Sequence, residues 1–301
     1  MSRQFLLPIL ALVSSVFVPR LALSAGETPK DAPPHVHVSS KREMEILRGP
    51  PPGVDRAAWL QEQRRWRVEF ERAIRFETTE YDRPELAWRY RDFVQTMLMV
   101  EDRYFFDPVA GRYTVDRYLD DLASRYGGVD SVILWAIYPN IGVDHRNQFD
   151  LLRDLPGGPA ALRGAVEDFH RRGVRVFVPV MPWDIGTRDE GRSLAETVVA
   201  LAREIGADSV FGDTVRGFTQ DYVQAARSLE CPLVFEFEST MVEEDRLSWG
   251  TMSWGYWLYG PEPVVSKYKW VEPRHGVHVC ERWARDRTDQ LQSAFFNGVG
   301  Y

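Results

Sequence analysis

Two glutamates in the segment PLVFEFEST have the spacing of side chains that one β-strand directs into a pocket. Side chains alternate between the two faces of a strand, so Phe235 and Phe237 share one face while Glu236 and Glu238 share the other. The apolar face is expected to pack against helices, which turns both glutamates inward. Glu238, nearer the C-terminal end of the strand, is a candidate catalytic acid. Glu236 is expected to pair with an inward Arg or Lys, because an unpaired buried carboxylate is costly. A salt-bridge network without catalysis is the alternative for both.

Asp213 closes the segment ADSVFGDT, which also has the composition of a buried strand. Gly212 before it permits close approach of backbone or ligand. Asp213 is therefore a candidate nucleophile or base at a strand end. The alternative is that it caps the helix predicted to begin near Gly217.

The segment KWVEPRHG brings Glu272, Arg274 and His275 together near another predicted strand end. An arginine beside a carboxylate can bind a hydroxyl group or hold an acid in place. His275 is a candidate general acid or base, with a structural hydrogen-bonding role as the alternative. The histidines of the predicted barrel lack the H-x-H and H-E-x-x-H spacings, so neither a metal nor a cofactor is expected.

Polar and aromatic residues also collect in the segments YPNIGVDHRNQFDLLRDLPGG, PWDIGTR and TMSWGYW. Polar planar groups beside aromatic walls suit a polyhydroxylated ligand. In the loops, helix and turn capping by Asp and Asn is the alternative. The candidate substrate-binding residues, together with Arg274 and His275, are Tyr138, Asn140, Asp144, Trp183, Asp184 and Trp254.

The elements that must position these residues alternate between strand and helix from residue 93 onward. Apolar runs such as DSVILWAIYPN and VRVFVPVMPWD indicate strands buried on both faces, as in a parallel sheet. No phosphate-binding glycine-rich turn follows the first strand, and polar residues follow each strand. The pattern predicts an α/β fold, a TIM-type (β/α)8 barrel over residues 93–301. TMSWGYW, KYKWVEP and AFFNGVGY are the candidates for strands six, seven and eight. No closing helix follows, so a barrel truncated at its C-terminus is expected.

The chain before the barrel has three predicted parts. Residues 1–25 have the charged start, apolar run and small residues of a secretory signal peptide, which predicts a secreted or periplasmic protein; an uncleaved anchor is the alternative. Residues 26–53 are predicted to be a flexible linker. Residues 54–92 are predicted to be a helical segment that packs against the outside or bottom of the barrel.

Composition excludes some classes of partner. The formal net charge of −7 argues against a nucleic-acid partner, which requires clustered Lys and Arg. Beyond the signal peptide no apolar run approaches membrane length, so no membrane association is expected after its cleavage. The two cysteines, Cys231 and Cys280, are expected to be buried thiols, with a disulfide as the alternative.

Asp213, at the end of the fourth predicted strand, resembles the nucleophile position of α-galactosidase-like and α-glucosidase-like retaining hydrolases. In those families the acid follows the sixth strand. The resemblance implies Glu272 as the acid if KYKWVEP is the sixth strand, and Glu238 becomes the better acid if TMSWGYW is.

The strings EDRYFFDP, YPNIGVDHRNQFDLL, FHRRGVRVFVPVMPWD and KYKWVEPRHGVHVC are similar to a family of exported barrels. Members of that family can continue into a formylglycine-generating-enzyme-like (sulfatase-modifying-factor-like) module. This resemblance covers residues 93–301 and implies a fold more than an activity.

The sequence favours a glycoside hydrolase that acts on a carbohydrate through two carboxylates by a retaining mechanism. Asp213 would be the nucleophile, and Glu272 or Glu238 the acid/base. A non-catalytic carbohydrate-binding barrel, a lyase using His275 and Arg274, and a barrel module of a larger protein with a sulfatase-modifying-factor-like domain are the alternatives.

Overall fold

The computed structural model describes residues 45–138, 140–184, 188–255, 264–280 and 288–301. The expected signal peptide and residues 26–44 of the expected linker lie outside the described residues. Near the start of the described chain, Ile46–Arg48 was expected to belong to the linker. It forms instead a short strand that pairs antiparallel with Val264–Ser266.

Seven parallel strands form the central sheet, and each strand lies beside the next one along the chain. They are β1 (Gln95–Met99), β2 (Ser131–Trp135), β3 (Arg175–Val180), β4 (Ser209–Gly212), β5 (Val234–Phe237), β6 (Met252–Gly255) and β7 (Gly276–Val279). The strands predicted as one to six all form. Their runs of Val, Ile, Leu and Phe are buried on both faces in β2 to β5, as parallel strands require.

The last three residues complete the cylinder between β7 and β1. Gly300 pairs in parallel with His278 of β7. The amide of Tyr301 donates to the carbonyl of Phe93, and the amide of Gln95 donates to the carbonyl of Tyr301. Hydrogen bonds therefore join both ends of the seven-stranded sheet, and the predicted (β/α) barrel is confirmed.

Helices alternate with the strands and cover the outside of the cylinder. They are α1 (Arg56–Ala73), α2 (Val115–Tyr126), α3 (Gln148–Arg153), α4 (Gly158–Arg171), α5 (Leu194–Ile205), α6 (Gln220–Ser228), α7 (Lys267–Val271) and α8 (Thr288–Asn297), with 3-10 helices at Pro84–Arg91 and Glu244–Ser248. A short antiparallel pair, Phe106–Asp107 with Arg112–Tyr113, precedes α2. The predicted ends of α2 are confirmed: Thr114 precedes it and Gly127, with a left-handed φ of 91°, ends it.

The predicted N-terminal helix is α1, and it packs on the barrel through an aromatic stripe. Asp55 caps it by accepting a hydrogen bond from the amide of Ala58 at 2.7 Å. Trp66 and Phe70 stack on each other and lie against the main core. The helix therefore packs against the barrel core, as its apolar periodicity indicated.

The predicted strand KYKWVEP is wrong, because these residues form α7 and the turn after it. Ser266 caps α7 by accepting a hydrogen bond from the amide of Lys269. Trp270 packs on α1 and donates its indole N–H to the carbonyl of Gln63 at 3.2 Å. Strand seven is formed instead by Gly276–Val279. A tertiary contact of the aromatic side chain has overridden the local preference for a strand.

The predicted strand AFFNGVGY is correct only in its last residues. Ala294–Asn297 is the final turn of α8, and Gly298 ends the helix with a φ of 61°. Strand pairing begins only after this glycine.

The two cysteines lie at opposite ends of the barrel. Cys231 is buried just before β5, and Cys280 directly follows β7. Parallel strands place these two positions too far apart for a disulfide. Within the ranges described, no helix combines the length and apolar character needed to cross a bilayer.

Candidate active site

Asp213 and Glu238 stand side by side at the C-terminal mouth of the barrel. Gly212 of β4 pairs in register with Phe237 of β5, so the next residue of each strand, Asp213 and Glu238, face each other. Both residues are almost completely buried, with 3% and 6% of their surface exposed. Both line one cavity of about 650 Å³. The structure therefore brings together two of the three carboxylates predicted to be catalytic.

Asp213 is held by a tyrosine from the loop after β2. The hydroxyl of Tyr138 donates a hydrogen bond to Oδ2 of Asp213 at 2.5 Å. The Tyr138 ring packs edge-on against Trp135, with ring centroids 4.9 Å apart. The alternative that Asp213 caps a helix is wrong, because α6 begins only after Thr219 and the Asp213 carboxylate points toward Tyr138.

Glu238 is held by the backbone that follows Asp213. The amide of Thr214 donates a hydrogen bond to Oε2 of Glu238 at 2.6 Å. Thr214 lies in a tight turn in which the amide of Val215 donates to the carbonyl of Gly212 at 3.2 Å. One turn of chain therefore presents Asp213 and orients its neighbouring carboxylate.

Aromatic side chains form much of the cavity wall below the two carboxylates. Phe211 and Trp254 pack together with ring centroids 4.3 Å apart, and Trp135 lies beside Phe211. The indole N–H of Trp254 donates to Oε1 of Gln95 at 2.9 Å. The remaining lining is largely apolar and consists of Val94, Thr96, Met97, Tyr126, Val279, Cys280, Leu291 and Tyr301. An apolar cavity with two carboxylates at one end is the usual form of a ligand site.

A polar network crosses the floor of this cavity. Glu236 faces inward as predicted, but its partners are not Arg or Lys. Oε2 of Glu236 accepts from Nε2 of Gln95 at 2.7 Å, and Oε1 lies 2.8 Å from Nδ1 of His278. Nε2 of His278 forms an ion pair with Asp92 Oδ1 at 3.3 Å. Burial alone would lower the pKa of His278, but Glu236 and Asp92 outweigh it and raise this pKa to about 10. His278 is therefore a buried cation between two carboxylates.

Gln95 and His278 were not among the predicted site residues. In QTMLM, Gln95 shares the inward face with Met97, and in GVHV, His278 is the polar member of an alternating strand. A polar residue at an inward position of a barrel strand was the available signal. The signal at His278 was missed because GVHV was not recognised as strand seven, whereas Gln95 lay in the predicted first strand and its inward position was overlooked.

Glu272 and Arg274 lie at the other end of the barrel from Asp213. They precede β7, and all seven strands run in the same direction, so these residues lie at the N-terminal ends of the strands. Glu272 forms an ion pair with Arg274 at 2.8 Å, and Arg274 also pairs with Asp82 at 2.7 Å. The expectation that Glu272 and Arg274 join Asp213 at one pocket is wrong, since it depended on KYKWVEP being a strand.

His275 is buried in the same N-terminal region. Its Nδ1 lies 2.9 Å from the hydroxyl of Tyr81, and its Nε2 lies 2.9 Å from Oγ of Ser253. Burial lowers the pKa of His275 well below its ordinary value. A neutral imidazole with both nitrogens hydrogen-bonded matches the structural alternative, so His275 is no longer a candidate acid or base.

Four predicted substrate-binding residues lie in loops at the correct end of the barrel but do not line the cavity. Asn140 donates to Glu101 at 3.0 Å, and Asp144 pairs with Arg146 at 2.9 Å. Trp183 is half-exposed, and the carbonyl of Asp184 accepts from Gln148 at 2.6 Å. Tyr138 and Trp254 are the predicted binding residues that line the cavity. In the part of the chain that is described, no cluster of three or more His, Cys, Asp or Glu side chains is arranged for a metal ion.

Several solved glycosidases are similar to parts of this chain. A maltogenic α-amylase from Thermotoga neapolitana is 15% identical over 56% of this chain and 50% of that enzyme, with a TM-score of 0.38. An α-amylase from Malbranchea cinnamomea is 14% identical over 57% of this chain and 53% of that enzyme, with a TM-score of 0.37. α-Galactosidase I from Mortierella vinacea is 10% identical over 54% of this chain and 45% of that enzyme, with a TM-score of 0.33.

The chain spans about half the length of these enzymes. No protein-family model matches the sequence, and no curated protein matches it. Similarity of this degree assigns neither a substrate nor a mechanism, so the chemistry of the cavity depends on its own geometry.

Proposed function

We propose that the chain is a retaining glycoside hydrolase in which Asp213 is the nucleophile and Glu238 the acid/base. The observation that carries this proposal is the placement of two buried carboxylates in register, at the ends of adjacent strands, in one cavity. Glycosidic cleavage needs such a pair on either side of the bond that breaks.

The roles follow from how each carboxylate is held. The Tyr138 hydroxyl bonds one oxygen of Asp213 and fixes the orientation of the carboxylate for attack on the anomeric carbon. Glu238 donates a proton to the leaving oxygen, and a glycosyl ester of Asp213 remains. Glu238, now a carboxylate, then takes a proton from a water molecule that attacks the anomeric carbon of the ester. The bond to Asp213 breaks, the sugar is released and both groups are restored.

Strand spacing favours retention over inversion. Adjacent strands lie about 4.8 Å apart, and retaining enzymes hold their carboxyl groups about 5–5.5 Å apart, whereas inverting enzymes need about 6.5–9.5 Å. Asp213 and Glu238 follow adjacent strands in register. Proton NMR of the first-formed sugar should therefore show the anomer of the substrate, and the opposite anomer would contradict the assignment of a nucleophile.

The wall of the cavity suits a sugar ring. Trp254 and Phe211 present aromatic surface close to the carboxylates. A pyranose has a face of C–H groups that packs on aromatic rings, while its hydroxyl groups need polar partners. The combination supports a carbohydrate as the substrate.

The test is a screen of 4-nitrophenyl glycosides with the wild type and with Asp213→Asn. The wild type should cleave at least one glycoside. Asp213→Asn should lose turnover by at least about 1000-fold while it still binds the free sugar, because the amide is isosteric but a poor nucleophile. Full activity in Asp213→Asn would remove Asp213 from the mechanism.

A non-catalytic carbohydrate-binding barrel is the second candidate. Both carboxylates already accept hydrogen bonds, Asp213 from Tyr138 and Glu238 from the Thr214 amide. Carboxylates fixed in this way also bind sugar hydroxyl groups without chemistry. Binding of free sugars by the wild type with no turnover of any glycoside would favour this candidate.

We also propose that the protein is exported, on the pattern of residues 1–25. Mass spectrometry of the protein recovered from outside the cytoplasm should find a new N-terminus after about residue 25. Absence of the protein from every fraction outside the cytoplasm would contradict export, and an intact Met1 in the exported protein would favour the uncleaved anchor.

A further inference from the structure

Three described residues other than glycine have a left-handed φ: Arg75 at 53°, Thr214 at 60° and Glu230 at 49°. This conformation is costly for residues with a Cβ atom and most costly for β-branched ones. Thr214 is the β-branched member of the three, and it directly follows Asp213.

Arg75 and Glu230 have an ordinary structural reason for this conformation. Each is the first residue beyond the cap of a helix, α1 for Arg75 and α6 for Glu230. The amide of Arg75 donates to the carbonyl of Arg72 at 3.2 Å, and the amide of Glu230 donates to that of Arg227 at 3.1 Å. A left-handed residue at this position is how many helices end.

Thr214 ends no helix. It is the third residue of the turn Gly212–Val215, with a negative φ at Asp213 and a positive φ at Thr214. This φ pattern is that of a type II turn, whose third position normally holds Gly or Asn. The Thr214 side chain is also exposed, so its burial does not offset the cost of the backbone conformation.

The amide of Thr214 contacts the side chain of one proposed catalytic residue, and its hydroxyl contacts the backbone of the other. Its amide donates to Glu238 at 2.6 Å, and its hydroxyl donates to the carbonyl of Asp213 at 2.6 Å. The hydrogen bond from the Thr214 amide needs only the backbone, so glycine would preserve it. The hydrogen bond from the hydroxyl uses its proton and leaves the Oγ1 lone pairs as acceptors. Thr214 is not part of the cavity lining, but it is exposed and directly adjoins Asp213 and Glu238, which are.

We propose that Thr214 is a substrate-contacting residue whose hydroxyl oxygen accepts a hydrogen bond from a sugar hydroxyl at the mouth of the cavity. This role gives a reason for an exposed, strained threonine where glycine would suit the turn better. The strain is thus retained for binding and not for folding. The proposal rests on the proposed glycosidase function and adds a residue that determines substrate affinity.

The experiment compares Thr214→Gly, Thr214→Ala and Thr214→Ser with the wild type on the 4-nitrophenyl glycoside that the wild type cleaves best. Thr214→Gly and Thr214→Ala should lower kcat/KM by about 5- to 10-fold, the effect of one neutral hydrogen bond. Thr214→Ser keeps the hydroxyl and should stay within about 2-fold of the wild type. Calorimetric titration of the free sugar into each variant in the Asp213→Asn background should show the same order.

Thermal unfolding separates a binding role from a structural one. The Tm of Thr214→Gly should equal or exceed that of the wild type, because glycine adopts the left-handed conformation without a Cβ penalty. Glu230→Gly is the matched control: Glu230 is exposed, has a similar φ and lies at the other end of the barrel. Its Tm should not fall either, and its kcat/KM should be that of the wild type.

Two results would overturn the proposal for Thr214 alone. One is an unchanged kcat/KM in Thr214→Gly and Thr214→Ala, and the other is a Tm loss in Thr214→Gly that accompanies the loss of activity. If the wild type neither cleaves nor binds any sugar tested, the proposed function fails first and the role of Thr214 fails with it.

Discussion

The hydroxyl of Tyr138 donates a hydrogen bond to the carboxylate of Asp213, a residue 75 positions later in the chain. The bond joins the loop after β2 to the end of β4, across the mouth of the barrel and over β3. A hydrogen bond to a charged group is about twice as strong as one between neutral groups. The pair therefore fixes the orientation of the proposed nucleophile before substrate binds.

Tyr138→Phe removes this donor and keeps the ring. We expect kcat to fall by about 10- to 100-fold, as expected for one hydrogen bond to a charged group, with a smaller change in KM because the aromatic surface remains. Steady-state kinetics on the best aryl glycoside provides the measurement. Tyr113→Phe is the control, since Tyr113 donates to the carbonyl of Pro156 outside the cavity and should tolerate the change. Equal activity of Tyr138→Phe and wild type would exclude a role for the hydroxyl.

Glu238→Gln and Glu272→Gln separate the two carboxylates that the sequence offered as the acid. Glu238→Gln removes the proposed proton donor and should lower turnover by about 100- to 10,000-fold with little loss of stability. Glu272→Gln breaks the ion pair with Arg274 and should cost about 2 kcal/mol in the free energy of unfolding, with normal turnover of the folded protein. Kinetics and chemical denaturation of both variants test this. A loss of turnover in Glu272→Gln together with a loss of stability but normal turnover in Glu238→Gln would refute it.

Gly212→Ala tests how tightly the turn before Asp213 is packed. A Cβ atom at Gly212 would lie 2.5 Å from Cγ2 of Val215 and 2.8 Å from Cζ of Phe218. We expect a loss of about 1–3 kcal/mol in stability and a loss of turnover as Asp213 is displaced. Gly164→Ala is the control. Gly164 lies within α4 and its added Cβ meets nothing within 4 Å, so this change should stabilise the protein by up to about 1 kcal/mol. Equal Tm values for the two variants would contradict the packing argument.

His278 should make stability fall in alkaline solution. Its pKa is about 10 in the folded protein and about 6.5 in the unfolded chain. The stabilisation is therefore complete below pH 6.5 and decreases as pH rises toward 10, because the folded state then binds the extra proton. The slope from this group is about 1.4 kcal/mol per pH unit.

His278→Gln removes the titrating group and keeps a side chain that can donate to Glu236. The free energies of unfolding of wild type and variant are measured in urea at pH 7 and pH 9. The difference between the two proteins should be smaller at pH 9 than at pH 7, by about 2.5 kcal/mol. A constant difference between the two proteins over this range would mean that His278 is not a buried cation.

The sequence predicted the barrel because β2 to β5 and helices α2 and α4 to α6 have long, regular apolar patterns. It placed Asp213 and Glu238 at one mouth because alternation fixes the inward face and parallel strands share an end. It failed mainly between residues 264 and 279, where elements are only three to five residues long and contacts such as Trp270 on α1 decide between helix and strand.

The floor network shows why the rest of the site was not predictable. Glu236 finds one partner 141 positions earlier, at Gln95, and another 42 positions later, at His278. No local pattern encodes such pairings, which exist only once the cylinder has closed. The expectation of an Arg or Lys partner was wrong because the required positive charge comes from a histidine that the pairing itself keeps protonated.

The seam where Tyr301 meets Phe93 and Gln95 has a consequence for the order of events in folding. The two sides of the seam are about 200 residues apart, which makes this contact among the slowest to form, since long loops must close first. Local βα units can assemble as they emerge from the ribosome. The inward polar groups of β1 and β7 remain exposed to water until the hydrogen bonds of the seam form. We therefore expect the Gln95–Glu236 hydrogen bond, and with it the rigid floor under the two carboxylates, to appear last.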